Sequence, residues 1–153
     1  FRSEEKSLFD VEETITSSLI ILQNKFKYKI EINKRFAKNN KIYGFPGKMG
    51  QVILNLIMNA IQAILDKGTI SITTQRDEQK NQYKIIVEDD GIGMNEATRQ
   101  KIFDPFFTTK NPGEGTGIGM SIVHTIIEEH KGKIFVNSEL GRGSTFTIQL
   151  PIK

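Results

Sequence analysis

Residues 51–65, QVILNLIMNAIQAIL, require a buried helix with one polar face. Apolar side chains cover most of the circumference of a helix in this segment, so the helix must pack against other elements on several sides. Amides interrupt the apolar residues at spacings of four, four and three, which places them on one face. The four amides are Gln51, Asn55, Asn59 and Gln62. The sequence therefore predicts a central helix that presents uncharged polar groups along one edge.

Helical and period-two patterns alternate along the rest of the chain. The central helix is expected to begin at Pro46 and to end near Gly68, a residue suited to a left-handed helix end. Further helices are predicted over 10–27, 95–102 and 117–130, strands over 28–32, 69–74, 83–89, 133–138 and 145–150, and a loop over 103–115. This order predicts an α/β two-layer sandwich of the α+β type, with a mixed, largely antiparallel sheet and three main helices packed on one face.

Length and composition indicate one compact domain, since the chain has 153 residues, of which 37% are hydrophobic and 25% charged. Residues 1–9 lack an apolar period and are interpreted as a linker remnant, and residues 10–153 as the domain. The absence of cysteine excludes a disulfide framework. No apolar run reaches the about 18 residues of a membrane span. The net charge of +3, with many lysines before the central helix, is interpreted as a solvated basic face rather than a nucleic-acid site.

Two glycine-containing segments suggest a ligand site. DDGIGM, residues 89–94, does not fit a calcium loop, because Ile92 and Arg99 would occupy ligand positions. GEGTGIGM, residues 113–120, matches neither a phosphate-binding Walker loop nor a dinucleotide fingerprint. Its glycines would still let the backbone approach an anion at the amino end of the following helix. Phosphate binding and a flexible turn both remain open for this segment taken alone.

Asp89 is the candidate base-binding residue. Strand alternation in YKIIVEDD sends Asp89 to one side and its acidic neighbours Glu88 and Asp90 to the other, so Asp89 can face the interior. A buried carboxylate needs a hydrogen-bond donor, which the amino group of a ligand could supply. Gly91 and Gly93 would leave room for a flat ring beside the backbone. Adenine satisfies both requirements.

The amides of the central helix have a use if a nucleotide binds. Amide oxygens suit a hard cation, and Mg²⁺ takes few protein ligands and completes its shell with water and phosphates. Asn55 and Asn59 lie one turn apart and could hold that ion. On the helix alone, hydrogen bonding of these amides to neighbouring backbone is the favoured interpretation.

Together these segments resemble the catalytic, ATP-binding domain of sensor histidine kinases, in the superfamily of gyrase, Hsp90 and MutL ATPases with the Bergerat-type fold. NLIMNAIQA resembles the N box of that family, DDGIG its D-x-G-x-G box, IFDPFFTTK its F box and GEGTGIGMSIVHTIIEEHKGKI its second glycine box with the following helix and strand. VNSELGRGSTFTIQLP resembles its last hairpin. The similarity runs from about residue 8 to the end, and several motifs in one order are far more specific than any single one.

The resemblance implies a role for each site residue. Asn59 would be the principal Mg²⁺ ligand with Asn55 assisting, Asp89 would bind the adenine amino group, and Gly91 and Gly93 would shape the pocket. Lys110 would reach the terminal phosphate from a mobile lid. The remaining nucleotide-binding positions are Gly115, Thr116, Gly117, Ile118, Gly119, Met120 and Thr145, with Ser144 as a possible support. Phe103, Phe106 and Phe107 are expected to anchor the lid, and Phe45 stands where many relatives carry an aspartate before the helix.

Position 55 separates two activities within this superfamily. Hydrolysing relatives carry a glutamate there, whereas Asn55 has no basic group to accept a proton from water, which favours a kinase over an ATPase. A nucleotide-responsive binding module without chemistry is the third hypothesis. His124 and His130 are interpreted as histidines of a helix surface rather than phosphoacceptors.

The resemblance also implies partners. Residues 1–9 would follow a dimerisation hairpin that carries the acceptor histidine, and the phosphoryl group would pass on to a response regulator. The fragment is expected to be monomeric and the full-length kinase a homodimer. A cytoplasmic location is expected, in a parent protein that could be anchored to a membrane, with no direct membrane or nucleic-acid contact by this segment.

Overall fold

The computed structural model of the protein describes residues 4–105, 107 and 119–153. Its helices are α1, Val11–Phe26; α2, Pro46–Ala63; α3, Glu96–Lys101; and α4, Gly119–Glu129. Its strands are β1, Ser7–Asp10; β2, Ile30–Arg35; β3, Lys41–Gly44; β4, Gly68–Asp77; β5, Gln82–Asp89; β6, Lys133–Glu139; and β7, Gly143–Pro151. Within the part of the chain described, no helix is long and apolar enough to cross a membrane.

The main sheet has the strand order β2-β4-β5-β7-β6. Only the β2–β4 pair is parallel; the other three pairs are antiparallel. The predicted hairpins are both present, as β4–β5 and as β6–β7. The predicted fold class is therefore confirmed: a mixed, mostly antiparallel sheet with helices on one face.

The core lies between the inner face of this sheet and the helices. Period-two alternation turns every second residue of β4, β5 and β7 inward, and α2 packs against both α1 and α4. The largest buried side chains of the sheet and of α1 and α2 are Ile15, Met49, Ile53, Leu56, Ile57, Ile70, Ile72, Tyr83, Ile85 and Phe146. The central position predicted for the helix that carries the amides is thus confirmed.

The predicted end of α2 near Gly68 is wrong. The helix ends at Ala63, because Ile64 turns to an extended conformation, with φ −95° and ψ 108°, and is buried. The Lys29 ammonium donates to the Ile64 carbonyl oxygen at 3.1 Å and so satisfies one of the acceptors at the helix end. Gly68 instead begins β4, where it pairs with Ile30 of β2. A long-range contact therefore ends the helix, which a local glycine rule does not anticipate.

A second, two-stranded sheet was not predicted. β1 pairs antiparallel with β3, so that Ser7 lies opposite Gly44 and Asp10 opposite Lys41. Both strands have only four residues, too few for an apolar period to stand out. The side chain of Asp10 then caps α1 by accepting from the Glu12 amide at 2.9 Å. Residues 7–10 are therefore part of the folded structure.

The interpretation of both histidines as surface residues holds for His124 alone. The side chain of His124 is about half exposed on α4, where Nδ1 lies 2.8 Å from a carboxylate oxygen of Glu128. His130 follows α4 directly and is 5% exposed. The prediction for His130 is wrong because the turn after α4 folds its ring inward, where it meets Gly44 and Phe45.

Candidate functional site

Asp89 lies at the end of β5 with its side chain turned inward, 4% exposed, while Glu88 and Asp90 are exposed. The predicted inward orientation is therefore confirmed. Burial raises the pKa of the Asp89 carboxyl above its usual range, and hydrogen bonds from the backbone of Gly91 and Ser144 oppose that rise. The Gly91 amide donates to Oδ1 at 2.8 Å. A ligand donor at Asp89 would stabilise its charged form further.

The loop after Asp89 packs against the last turn of α2. The Ile92 amide donates to the Ala63 carbonyl oxygen at 2.9 Å. A Cβ atom on Gly91 would lie 2.4 Å from the same oxygen, so only glycine allows this approach. Gly93 has φ +69°, and a Cβ atom there would lie 2.0 Å from the Glu139 carbonyl oxygen. Both glycines thus have a packing reason to be present, and their predicted contact with a base stays a prediction.

The two candidate metal ligands, Asn55 and Asn59, are half-buried on one face of α2. Neither side chain hydrogen-bonds to another described residue, which disfavours the alternative that these amides serve the neighbouring backbone. Among the described residues, no cluster of three histidine, cysteine or acidic side chains could hold a metal. The amide oxygens are therefore the available hard donors on this face of α2, and they suit Mg²⁺.

The start of α4 lies against the first of these amides. A Cβ atom built on Gly119, the first residue of α4, would be 3.7 Å from Oδ1 of Asn55. Met120, in the same turn, is partly buried against the core. The structure thus brings Gly119 next to Asn55, whereas Met120 packs against the core.

The other predicted phosphate ligands lie outside the described residues. They are Lys110, Gly115, Thr116, Gly117 and Ile118, and the predicted anchor Phe106 and most of the predicted lid lie there too.

The side chain of Thr145 lies away from the other predicted nucleotide-binding residues that the structure describes. Its hydroxyl donates to Oε2 of Glu88 at 3.2 Å, on the outer face of the sheet. Strand register instead places Ser144 opposite Asp89, and Ser144 is buried, 2.8 Å from the hydroxyl of Ser138. The predicted place of Thr145 in the pocket is therefore wrong. Paired residues of neighbouring strands share a face, and the residue paired with Asp89 is Ser144. Ser144 was expected only as a possible support, and counting the register of β5 and β7 could have placed it ahead of Thr145.

One face of α2 connects all parts of the site. Asn55, Asn59 and Ala63 recur every four residues, so they lie above one another. Gly119 meets the first of them and the loop after Asp89 meets the last. Eight residues of helix span about 12 Å. The site is thus an elongated surface with a buried carboxylate at one end and a helix amino terminus at the other.

A separate cleft lies between α3 and the outer side of β6, lined in part by Arg99, Phe103 and Phe135. None of its lining residues was predicted as a site residue.

Comparisons with known proteins agree with this geometry. The profile of the family described as "Histidine kinase-, DNA gyrase B-, and HSP90-like ATPase" matches residues 44–153. Sensor histidine kinase ZraS of Escherichia coli strain K12 is 46% identical over 125 residues, which are 80% of this chain and 26% of that protein. Sporulation kinase E of Bacillus subtilis strain 168 is 41% identical over 112 residues, 73% of this chain and 15% of that protein.

Solved structures of histidine kinases are similar to this chain as well. The catalytic domain of histidine kinase ThkA superposes with a TM-score of 0.85 at 30% identity, covering 97% of this chain and 98% of that one. The similarity thus covers nearly all of the solved ThkA catalytic domain but only about a quarter of the length of ZraS. From its sequence motifs, its fold and these similarities, the chain belongs to the histidine kinase-, DNA gyrase B- and HSP90-like ATPase family.

Proposed function

We propose that this chain is the catalytic domain of a sensor protein-histidine kinase. It binds MgATP and delivers the γ-phosphoryl group to a histidine on a separate dimerisation hairpin, from which the group passes to a response-regulator aspartate. The names of ZraS and sporulation kinase E support this activity, and ThkA has been solved in complex with the response regulator TrrA. The observation that carries the proposal is the alignment of Asn55, Asn59 and Ala63 along α2, between the start of α4 and the loop after Asp89.

Asp89 selects the base in this proposal. Its carboxylate accepts a hydrogen bond from the adenine amino group and repels the carbonyl that guanine carries at the same position. Ser144, opposite Asp89 in the register, supports the same end of the pocket. Because the carboxylate is buried, its interaction with a donor is stronger than it would be in water.

Asn59 and Asn55 hold Mg²⁺ when the nucleotide is bound. The ion supplies neutralisation of phosphate charge, which is the main need of phosphoryl transfer. The amides add no negative charge beside the phosphates, and their lack of hydrogen bonds to other described residues leaves them available as ligands. Gly119 sits next to Asn55, so the amino end of α4 faces the phosphate end of the site. Lys110 contributes a cation to the terminal phosphate.

Transfer is favoured over hydrolysis by position 55. An amide does not accept the proton that an attacking water has to lose, so Asn55 does not act as a general base. The nucleophile is then the imidazole of the hairpin, which attacks the γ-phosphorus as the bond to the ADP oxygen breaks. The domain itself positions the nucleotide and neutralises its charge.

Neither histidine of this chain is the acceptor. Both ring nitrogens of His130 are engaged, with Nε2 accepting from the Phe45 amide at 3.0 Å and Nδ1 lying 2.8 Å from the Ile126 carbonyl oxygen. His124 is fixed on α4 and would have to leave that helix to reach the γ-phosphate in line. The acceptor therefore belongs to a different part of the parent protein, and the domain acts in the cytoplasm as the ATP-binding part of each subunit of a homodimeric kinase.

Incubation with γ-labelled ATP tests this function. The domain alone should produce neither labelled protein nor appreciable free phosphate, and a separately produced hairpin with its acceptor histidine should become labelled when added. Asn59→Ala should abolish this labelling because it removes the metal ligand. Gln62→Ala removes an exposed amide from the same helix and should leave labelling unchanged.

Two results would contradict the proposal. Labelling of the domain itself that disappears in His124→Gln would make this chain its own acceptor. Release of free phosphate without labelling of the hairpin would make the protein an ATPase.

A further inference from the structure

We propose that residues 4–10 are energetically coupled to the nucleotide site through a junction at the far end of the α2–α4 pair. The junction consists of Glu4, Lys6, Phe45, Lys48 and His130. The inference rests on the proposed function in one respect, that a nucleotide binds between α2 and α4.

The first turn of α2 has no cap of its own. Phe45 occupies the N-cap position and offers no side-chain acceptor, and the first turn contains no acidic residue. Glu4 supplies the missing group from outside the helix: Oε2 accepts from the Gly47 amide at 2.5 Å and Oε1 from the Lys48 amide at 3.0 Å. A carboxylate at this point satisfies two free amides and complements the helix dipole. Residues 4–10 thereby hold the start of the helix that carries Asn55 and Asn59.

The Phe45 ring joins three elements. The Lys6 ammonium lies 5.6 Å from its centroid and the Lys48 ammonium 4.8 Å, so cations from the N-terminal segment and from α2 both contact this ring. His130 packs edge-on to the same ring, with the centroids 5.2 Å apart. The segment is therefore attached to Phe45 as well as to the helix amides.

His130 ties the end of α4 to the start of α2. The Phe45 amide donates to its Nε2, so Nε2 carries no proton, and Nδ1 donates to the Ile126 carbonyl oxygen. The fit is close, since a Cβ atom on Gly44 would lie 2.8 Å from Cδ2 of this ring. The Lys48 ammonium also pairs with Glu129 at 2.5 Å. The end of α4 and the start of α2 are therefore joined by a hydrogen bond, an ion pair and close packing.

The junction and the nucleotide site lie at opposite ends of the same antiparallel helix pair. The start of α4 meets Asn55 and its end meets the first turn of α2. From Pro46 to Asn55 the helix rises about 13 Å. Both a nucleotide and residues 4–10 favour one relative placement of α2 and α4. Each should therefore strengthen the binding of the other, and such coupling is reciprocal.

Calorimetry tests whether a change in residues 4–10 alters the affinity for MgADP. Glu4→Gln removes the charge of the cap and should weaken MgADP binding about fivefold or more. Glu5→Gln makes the same charge change at an exposed neighbour and should bind MgADP like the parent. Both variants are measured at a temperature at which circular dichroism shows them to be folded, so that lost stability does not mimic lost affinity.

Hydrogen exchange tests the reverse effect, that of MgADP on residues 4–10. In the parent protein, MgADP should slow exchange of the β1 amides, and in Glu4→Gln this protection should be smaller. A purely structural role of Glu4 would leave exchange in β1 insensitive to MgADP. Equal MgADP affinity in parent and Glu4→Gln, with β1 exchange that ignores MgADP, would overturn the coupling alone. Failure of the parent to bind MgADP would overturn the proposed function as well.

Discussion

At the scale of single residues, the proposed site depends on one buried carboxylate and two half-buried amides. Asp89 lies at the end of a central strand, and Asn55 and Asn59 lie on the helix that covers it. The placement of the amides on one face of α2 and of Asp89 on the inner side of β5 was predicted from sequence because amide spacing and strand alternation are local patterns. Thr145 was misassigned because the choice between it and Ser144 depends on pairing between β5 and β7, which no local pattern contains.

The raised pKa of Asp89 makes nucleotide binding depend on pH. In the proposed site the charged carboxylate accepts a hydrogen bond from the adenine amino group, so ATP affinity should fall as pH falls through a pKa above the usual carboxylate value. The unliganded domain should respond in the opposite sense, since a raised native pKa contributes stability at low pH that is lost as pH rises through it. Calorimetry with ATP across the acidic range measures the affinity.

Asp89→Asn should remove most of this dependence on pH, weaken ATP binding roughly tenfold or more, and reduce the preference for ATP over GTP. Glu88→Gln changes the neighbouring carboxylate on the outer face and should show the same dependence of ATP affinity on pH as the parent. An Asp89→Asn profile that superposes on that of the parent would remove Asp89 from the base site.

At the scale of elements, the sequence predicted the long, periodic segments and missed those defined by remote contacts. α1, α2, α4 and the two hairpins follow from helical or period-two patterns. The β1–β3 pair was missed because four-residue strands carry little pattern, and the end of α2 because Ile64 and Lys29 determine it. In the same way, Glu4 replaces the cap that Phe45 lacks, and this relation is visible only in three dimensions.

A buried polar network around Asn40 gives a test at this scale. Its side-chain oxygen accepts from the hydroxyls of Thr74 and Tyr83, both at 2.6 Å, and its amide donates to the Ala37 carbonyl oxygen at 2.8 Å. Burial raises the pKa of the Tyr83 phenol, which therefore remains a donor at neutral pH. Asn40→Ala should leave buried hydroxyls without an acceptor and lower the free energy of unfolding by about 2–4 kcal/mol.

Denaturant unfolding monitored by circular dichroism measures this loss. Asn39→Ala alters an exposed neighbour whose side chain accepts from the Lys41 amide, and should cost less than about 1 kcal/mol. Similar losses for the two variants would show that the network contributes little to stability.

At the scale of the whole molecule, the elements that form the scaffold differ from the element that carries most of the candidate site. The sheet and α1 form a scaffold behind α2, and the candidate site runs along the half-buried face of α2 that carries the amides, between the loop after Asp89 and the start of α4. The similarity to the ThkA catalytic domain covers nearly all of both chains, whereas the chain matches only a quarter of ZraS. This division fits the proposed function, in which the domain prepares a nucleotide for a nucleophile supplied by another part of the parent protein.

A crystal structure of the domain with Mn²⁺ and a non-hydrolysable ATP analogue tests this account most directly, because Mn²⁺ prefers the same oxygen ligands as Mg²⁺ and can be located by its anomalous scattering. The account predicts an anomalous peak within ligand distance of the Asn59 side-chain oxygen, phosphates between Asn55 and Gly119, and the adenine amino group on Asp89. A nucleotide bound elsewhere, or a metal peak away from both amides, would contradict it.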